Sequence, residues 1–271
     1  MNPILLAVLL VSGIGLLAGA VLAIASVLMA VPKDEKAEQI TELLPGANCG
    51  ACGFSGCAGY AAALAKGEAE LGLCAPGGKE TVQAIAQVLG AEAVEMQRKV
   101  AVVRCQGSCV NTENRMRYVG IESCAAAVQL YRGAGSCMYG CIGFGDCVEV
   151  CPEQAIKLCD GVAHIDPDRC GACTMCVSAC PKQLISIVPD AAQATVRCMN
   201  RDKGAITRKV CKAGCIGCMK CQKVCEAGAV KVAGNLATVD AALCTGCGKC
   251  ETACPQHCIV PVRPMTLQEN G

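Results

Sequence analysis

The sequence predicts an α+β protein made of one transmembrane helix, one small helical domain and two tandem modules built on short β-hairpins. Three observations lead to this prediction: an uncharged apolar run from Ile4 to Val31, a set of 27 cysteines in closely spaced groups, and an internal repeat. The predicted segments are, in chain order, an anchor at 1–31, a cysteine-rich helical domain at 32–80, a connector at 81–134, a first module at 135–190, a linker at 191–208, a second module at 209–263 and a tail at 264–271.

The composition favours metal ligation over disulfides. Cysteine accounts for 27 of 271 residues, a density that in a short secreted chain would indicate a disulfide scaffold. However, the number is odd and the cysteines fall in CxxC groups, which is typical of metal or cluster ligands. Aromatic residues make up only 2% and Trp is absent, so large conventional cores are not expected. Bound metal would then contribute folding free energy.

The apolar run from Ile4 to Val31 predicts a retained transmembrane helix, because it is long enough to span a bilayer with some tilt. A cleaved signal peptide is the alternative, and Ala23-Ile24-Ala25 resembles a cleavage site. Against it, the run lacks a positive n-region and is longer than a signal core. Lys33, the first charge after the run, favours a cytoplasmic position for the rest of the chain, where thiols stay reduced.

The first cysteine group follows the anchor with the spacing Cx2Cx4Cx16C. Its members are Cys49, Cys52, Cys57 and Cys74. Glycines between them let the backbone curl around a bulky group, so the segment is interpreted as a self-contained domain with one 4Fe-4S cluster. A tetrahedral zinc site is the alternative. The cysteine loops farther along the chain favour iron–sulfur.

Two later runs have the cysteine spacing of a ferredoxin loop. They are Cys170-Gly-Ala-Cys173-Thr-Met-Cys176-Val-Ser-Ala-Cys180-Pro181 and Cys244-Thr-Gly-Cys247-Gly-Lys-Cys250-Glu-Thr-Ala-Cys254-Pro255. In such loops three thiolates bind one cubane, and the fourth, before the proline, binds a second cubane. Each run therefore predicts two clusters.

The repeat relates these runs by a shift of 74 residues, which also places Cys151 on Cys225. Between the cysteines, residues 155–158 and 163–166 alternate like the strands of an antiparallel hairpin, and the repeat has matching segments. The pattern indicates two ferredoxin-like modules with two clusters each.

Ligands follow from the crossed pattern of two-cluster ferredoxins. In the second module the predicted sets are Cys215, Cys218, Cys221 and Cys254, and Cys244, Cys247, Cys250 and Cys225. In the first module Phe144 stands where the repeat expects a ligand, so Cys137, the nearest spare thiol, is taken instead. The predicted sets there are Cys137, Cys141, Cys147 and Cys180, and Cys170, Cys173, Cys176 and Cys151.

These assignments give five 4Fe-4S clusters held by twenty cysteines. Each oxidised cluster with its four thiolates carries about −2, so the formal charge of +1 becomes about −9, which disfavours nucleic-acid binding. By the repeat, Cys159 and Cys258 are expected to be small buried core residues. Five cysteines remain unassigned, and any four of them could hold a sixth iron–sulfur site; inert or zinc-binding thiols are the alternative. These five are Cys105, Cys109, Cys124, Cys198 and Cys211. No catalytic residue is predicted.

The anchor, the Gly-Ala-Asn-Cys49-Gly-Ala-Cys52-Gly-Phe-Ser-Gly-Cys57 segment and the Gly-Cys141-Ile-Gly-Phe-Gly-Asp-Cys147-Val-Glu-Val-Cys151-Pro loop together resemble the B subunit of the Rnf-type ion-translocating electron-transport complex. The similarity covers nearly the full chain, and the second module resembles the extension of longer members. The resemblance implies an electron-transfer subunit on the cytoplasmic face of a bacterial or archaeal membrane. It would accept electrons from soluble ferredoxin and pass them to membrane and flavin-carrying subunits. Electron transfer between ferredoxin and NAD would drive transport of sodium ions or protons.

Two other functions fit parts of the sequence. A membrane-tethered polyferredoxin that serves a different dehydrogenase or reductase would need the same ligands without ion transport. A zinc-stabilised interaction protein would use the cysteines without redox chemistry.

Overall fold

The computed structural model describes residues 3–28 and 34–263. The first helix, α1, spans Pro3–Leu28 and has no charged residue. At 1.5 Å per residue it is about 39 Å long. It is the one helix of the described chain that is long and apolar enough to cross a membrane, and no residue of its most apolar stretch, Leu9–Ser26, is buried. Two parts of the sequence prediction lie outside the described residues: Lys33, from which the cytoplasmic position of the cysteine domains was predicted, and the tail at 264–271.

Three helices build the first domain: α2 at Glu35–Leu43, α3 at Cys57–Ala65 and α4 at Gly78–Leu89. Their apolar faces meet around Ile40, Tyr60 and Ile85, which are almost completely buried. Because α4 contributes to this core, it belongs to the first domain rather than to the expected connector.

Tyr60 fixes the segment that leads to Cys74. Its ring is 1% exposed, and its hydroxyl donates to the carbonyl of Glu70 at 2.8 Å and accepts the N–H of Leu73 at 3.2 Å. A single side chain thus holds two backbone groups just before Cys74.

The Tyr60→Phe variant is expected to open this segment more easily, by about 1–2 kcal/mol, because two backbone groups lose their partner. Hydrogen exchange of peptides covering residues 57–74 measures the change. Tyr131→Phe is the matched control, since that side chain is 74% exposed. An equal change in both variants would contradict the role of the hydroxyl.

The first module contains two antiparallel strand pairs and three short helices. They are β1 at Lys99–Val103 paired with β4 at Ile185–Pro189, β2 at Ile156–Cys159 paired with β3 at Val162–Ile165, and helices α5 at Cys124–Val128, α6 at Asp146–Glu149 and α7 at Met175–Ala179. The predicted hairpin at β2 and β3 is confirmed. The strand β1 comes from the expected connector, so the module begins earlier than cysteine spacing indicated.

The second module repeats this plan. It consists of β5 at Thr195–Val196 paired with β8 at Ile259–Val260, β6 at Val230–Ala233 paired with β7 at Leu236–Val239, and helices α8 at Gly204–Val210, α9 at Lys220–Lys223 and α10 at Lys249–Thr252. Here β5 and most of α8 come from the expected linker. Both segments expected to join domains therefore supply strands that close a module.

The cores of the modules are small and shared with cysteines. In the second module, buried apolar residues such as Val230 and Ile259 pack with buried thiols, and Cys258 is 1% exposed, as expected. The expectation for Cys159 is wrong: it is exposed, because β2 buries only its first residue, Ile156.

Two sets of contacts fix the modules against each other. At one end Arg104 donates from Nε to the carbonyl of Val196 at 3.3 Å, and Arg197 donates from Nη1 to the carbonyl of Val103 at 3.4 Å. This exchange is reciprocal between β1 and β5. At the other end Arg263 forms ion pairs with Asp168 and Asp190.

Candidate iron–sulfur sites

The four cysteines of the first domain converge. Cys57 begins α3, and its N–H donates to the side chain of Asn48 at 2.9 Å, which fixes the loop between them. Burial raises the pKa of Cys74, and the neighbouring thiols of Cys57, Cys49 and Cys52 raise it further. All four predicted ligands are therefore close to one another.

A second set lies in the first module and consists of Cys151, Cys170, Cys173 and Cys176. Burial raises the pKa of Cys176 to about 12, and the other three thiols raise it too. Backbone N–H groups of Ala101 and Ala155 donate to the sulfurs of Cys170 and Cys151, each at 3.3 Å. Buried thiols of this kind lose their protons when iron binds, and N–H donors to sulfur then stabilise the thiolates.

The third set departs from the sequence prediction. Three predicted ligands line one cavity in the first module, and the fourth cysteine on its wall is Cys124. The members of this set are Cys124, Cys141, Cys147 and Cys180. Burial raises the pKa of Cys147 to about 12, and the thiols that raise it further are these same three neighbours. Cys137 lines a different cavity.

Asp146 holds Cys124 in this position. Its carboxylate accepts the N–H of Cys124 at 2.7 Å and that of Ala125 at 3.0 Å, at the start of α5. Burial raises the pKa of Cys124, and the nearby backbone N–H groups of the loop at residues 144–146 oppose this shift. The Cys124 thiol thus lies near the loop in which Phe144 stands at the position of Cys218 in the second module. The centroid of the Phe144 ring lies 5.5 Å from that of the Tyr118 ring.

In the second module the structure brings both predicted sets together. One cavity is lined by Cys215, Cys218, Cys221 and Cys254, and also by Cys258, whose sulfur lies 3.6 Å from that of Cys254. Another is lined by Cys225, Cys244, Cys247 and Cys250.

The ligand loop in each module lies tightly against a hairpin turn. A Cβ at Gly143 would stand 2.6 Å from the carbonyl oxygen of Gly161, and one at Gly217 would stand 2.9 Å from backbone atoms of Asn235. Both glycines also have positive φ, 87° and 64°. Only glycine fits such a position, so the Cys-Ile-Gly sequence of both loops has a steric cause.

A further cavity, of about 330 Å³, lies between the modules. Cysteines on its wall are Cys105, Cys109, Cys137, Cys141, Cys198 and Cys211. Cys141 already belongs to the third set, and all the others except Cys137 were unassigned from the sequence.

The cysteine sets are neighbours in space. The thiol of Cys49 is close enough to raise the pKa of Cys173, and that of Cys147 acts on Cys176. The first domain therefore adjoins the first module through one set, and the two sets of that module adjoin each other.

The described residues contain no group of three histidine, cysteine or acidic side chains close enough to hold a single metal ion. Thiolates that bind different irons of one cubane stand farther apart than ligands of one ion. The cysteine cavities, the loops with N–H groups directed at sulfur and the buried thiols all suit 4Fe-4S clusters.

Comparison with protein families agrees with this chemistry. The family described as "Putative Fe-S cluster" matches residues 44–76, which contain the whole first set. Families described as "4Fe-4S binding domain" match residues 162–185 and 237–260, one in each module.

Three relatives extend over most of the chain. The B subunit of the Na(+)-translocating ferredoxin:NAD(+) oxidoreductase complex of Acetobacterium woodii is 40% identical over 260 residues, which are 96% of this chain and 78% of the relative. The B subunit of the ion-translocating oxidoreductase complex of Methanosarcina acetivorans is 37% identical, over 84% of this chain and 87% of the relative. The B subunit of the proton-translocating ferredoxin:NAD(+) oxidoreductase complex of Clostridium ljungdahlii is 38% identical, over 90% of this chain and 86% of the relative.

The fold and the sites together define the class of protein: it is an iron–sulfur electron carrier with several 4Fe-4S domains and an apolar N-terminal helix. The chain belongs to the family of ion-translocating oxidoreductase complex B subunits. It is thus one component of an ion-translocating oxidoreductase, as the resemblance implied.

Proposed function

We propose that this chain carries electrons between a soluble ferredoxin and the membrane and flavin-carrying subunits of its complex, in a reaction with NAD that drives sodium-ion or proton transport. The observation that carries the proposal is the proximity of successive cysteine sets, from the first domain into the first module and across it, where a thiol of one set raises the pKa of a thiol in the next. The names of the relatives support ferredoxin and NAD as the redox partners of the whole complex, and they support the ion transport. When bound, 4Fe-4S clusters accept and donate single electrons.

The proposal includes five 4Fe-4S sites, and one ligand differs from the set inferred from spacing. The ligand sets are Cys49, Cys52, Cys57 and Cys74; Cys151, Cys170, Cys173 and Cys176; Cys124, Cys141, Cys147 and Cys180; Cys215, Cys218, Cys221 and Cys254; and Cys225, Cys244, Cys247 and Cys250. In the third set Cys124 replaces Cys137.

The second module suits contact with ferredoxin. Cys218 and Cys247 are exposed, so their sites lie close to the surface. Two lysines on α9, Lys220 and Lys223, are exposed near Cys218, together with the apolar Met219. A small carrier made anionic by its own clusters would be attracted to these lysines. Electrostatic steering of this kind raises association rates by a factor on the order of 10–10³.

The first domain suits delivery to the membrane. It follows α1 directly in the chain, so it stays near the bilayer when α1 spans it. We place the cysteine domains on the cytoplasmic side of a bacterial or archaeal membrane, where thiols remain reduced.

The Cys49→Ala and Cys52→Ala variants test this route. Reduced ferredoxin is expected to bleach the visible absorption of the sites in the two modules at the parent rate, because their ligands are unchanged. Onward transfer to the membrane subunits is expected to fall to the rate measured without this chain. Stopped-flow absorption with the assembled complex measures both steps.

Cys159→Ala is the matched control, since Cys159 is exposed on β2 and belongs to no set. Parent-like onward transfer in the Cys49 and Cys52 variants would rule out the first domain as the exit.

A further inference from the structure

We infer that this chain holds a sixth 4Fe-4S site, between the two modules, with Cys105, Cys137, Cys198 and Cys211 as its ligands. This inference extends the proposed function, because it supplies the connection between the modules that the five other sites leave open.

The four thiols line one cavity, and Cys137 is a neighbour of each of the other three. Its charge acts on Cys105, on Cys198 and on Cys211, raising the pKa of each beyond the effect of burial. A Cβ at Gly107 would lie 3.3 Å from the sulfur of Cys105 and 4.0 Å from that of Cys211, so these two sulfurs flank the same point. The cavity volume of about 330 Å³ leaves space between the sulfurs for a bulky group.

Each module contributes two equivalent thiols. Cys105 follows β1 by two residues, and Cys198 follows β5 by two residues. The sulfur of Cys105 accepts the N–H of Cys141 at 3.4 Å, and the sulfur of Cys198 accepts the N–H of Cys215 at 3.3 Å. The shift of 74 residues that relates the modules places the other pair, Cys137 and Cys211, on each other.

The arrangement therefore has approximate two-fold symmetry. The reciprocal hydrogen bonds of Arg104 and Arg197 across β1 and β5 follow the same symmetry. Two half-sites that face each other across such an axis give four converging thiols. This geometry differs from the crossed ligation within each module.

Arg104 and Arg197 line the cavity, and among the described residues neither forms an ion pair, although the carboxylates of Glu113 and Asp160 line the same cavity. Within the described chain, the Nε of Arg197 is buried without a hydrogen-bond partner. The ammonium of Lys182 is also close to Cys105 and Cys137. A cluster with four thiolates has a net charge of about −2, which would compensate such cations.

The remaining thiols near the cavity do not complete the set. Cys109 is exposed, and it is its backbone N–H that donates a hydrogen bond to the carbonyl of Asp160, at 2.9 Å. Cys124 and Cys141 line the cavity of the third set, where both serve as ligands.

The site would join the modules. Cys105 adjoins Cys141 of the first module, and Cys198 adjoins Cys215 of the second. It is thus next to one ligand set on each side.

Anaerobically purified full-length chain in detergent, reconstituted with ferrous iron and sulfide, provides the first test. Six sites predict about 24 irons per chain, and five predict about 20. Native mass spectrometry counts the clusters without any variant. Thiol alkylation followed by peptide mapping is expected to modify Cys109 and Cys159 in the holoprotein and to leave the four proposed ligands unmodified.

Cys211→Ala and Cys198→Ala are expected to remove about four irons each, and the double variant about four as well, because one site is lost in every case. Cys109→Ala is the matched control and is expected to retain all iron. The same variants should keep the spectra of the five other sites.

A parent chain with about 20 irons and alkylated Cys137 and Cys211 would overturn the sixth site. The proposed electron-transfer function would still stand if ferredoxin reduced that chain and transfer to the membrane subunits continued. Failure of transfer with about 24 irons present would instead contradict the proposed function and leave the site intact.

Discussion

Replacing Cys124 with alanine is expected to remove about four irons from the holoprotein, with loss of one 4Fe-4S signal from the electron paramagnetic resonance spectrum of the reduced chain. The reason is geometric: Cys124 shares a cavity with Cys141, Cys147 and Cys180, and its thiol lies near the backbone of the loop at residues 144–146. Iron analysis and spin quantification on the anaerobically reconstituted chain measure the effect.

Cys159→Ala should leave the iron content at the parent value, since this thiol is exposed on β2. Asp146→Asn is an intermediate test, because Asp146 positions Cys124 through two backbone N–H groups and is not itself a ligand. It should weaken iron retention without removing the ligand. If the Cys124→Ala variant kept its full iron content, Cys124 would not be a ligand, and Cys137 would again be the expected fourth ligand of the third set.

Anaerobic removal of iron by a chelator is expected to unfold the chain from residue 34 to 263 while α1 remains helical in detergent. The buried cores of the domains contain their own ligand thiols, Cys74 in the first domain and Cys176 in the first module among them. Where metal binding supplies the folding energy, its loss costs about 10 kcal/mol or more, and a domain has only about 5–15 kcal/mol of stability.

Hydrogen exchange of the paired strands β1 and β4 is the measurement, because these amides are protected only when the first module is closed. Addition of ferrous iron with sulfide should restore the protection, whereas zinc alone should not. Strands that stay protected in iron-free chain would show that the apolar contacts suffice. Recovery with zinc would support the zinc-stabilised alternative.

Ligand sets with short spacing could be predicted from the sequence because local geometry determines them. Three cysteines within seven residues of a loop, such as Cys170, Cys173 and Cys176, are held close together by the short chain between them. The structure places these sets together as expected, and the hairpins at β2–β3 and β6–β7 form where the alternation indicated.

Contacts that depend on tertiary packing could not be predicted in the same way. Cys124 lies well before the loop it reaches, on a helix whose position depends on Asp146. A usable signal was nevertheless present: the shift of 74 residues aligns Cys137 with Cys211, so Cys137 has a counterpart in a module that already has all its loop ligands. That alignment argues against Cys137 as a substitute for the residue at Phe144.

The strands β1 and β5 were missed as module elements for a related reason. Each is short, and each pairs with a strand far along the chain, β1 with Ile185–Pro189 and β5 with Ile259–Val260. Spacing between cysteines carries no information about such partners.

This pairing of distant strands sets the order in which the molecule can be assembled during synthesis. The first domain needs only residues up to Leu89 and can take up iron while the rest of the chain is still being made. The first module has to wait for Pro189 to leave the ribosome, since β1 has no partner before that. Until Val260 emerges, β5 and the thiol of Cys198 beside it have no fixed place, so the half-site of Cys105 and Cys137 stays open to solvent and oxidants. The thiols of Cys105 and Cys137 are therefore among those that lack their final partners throughout translation of the second module.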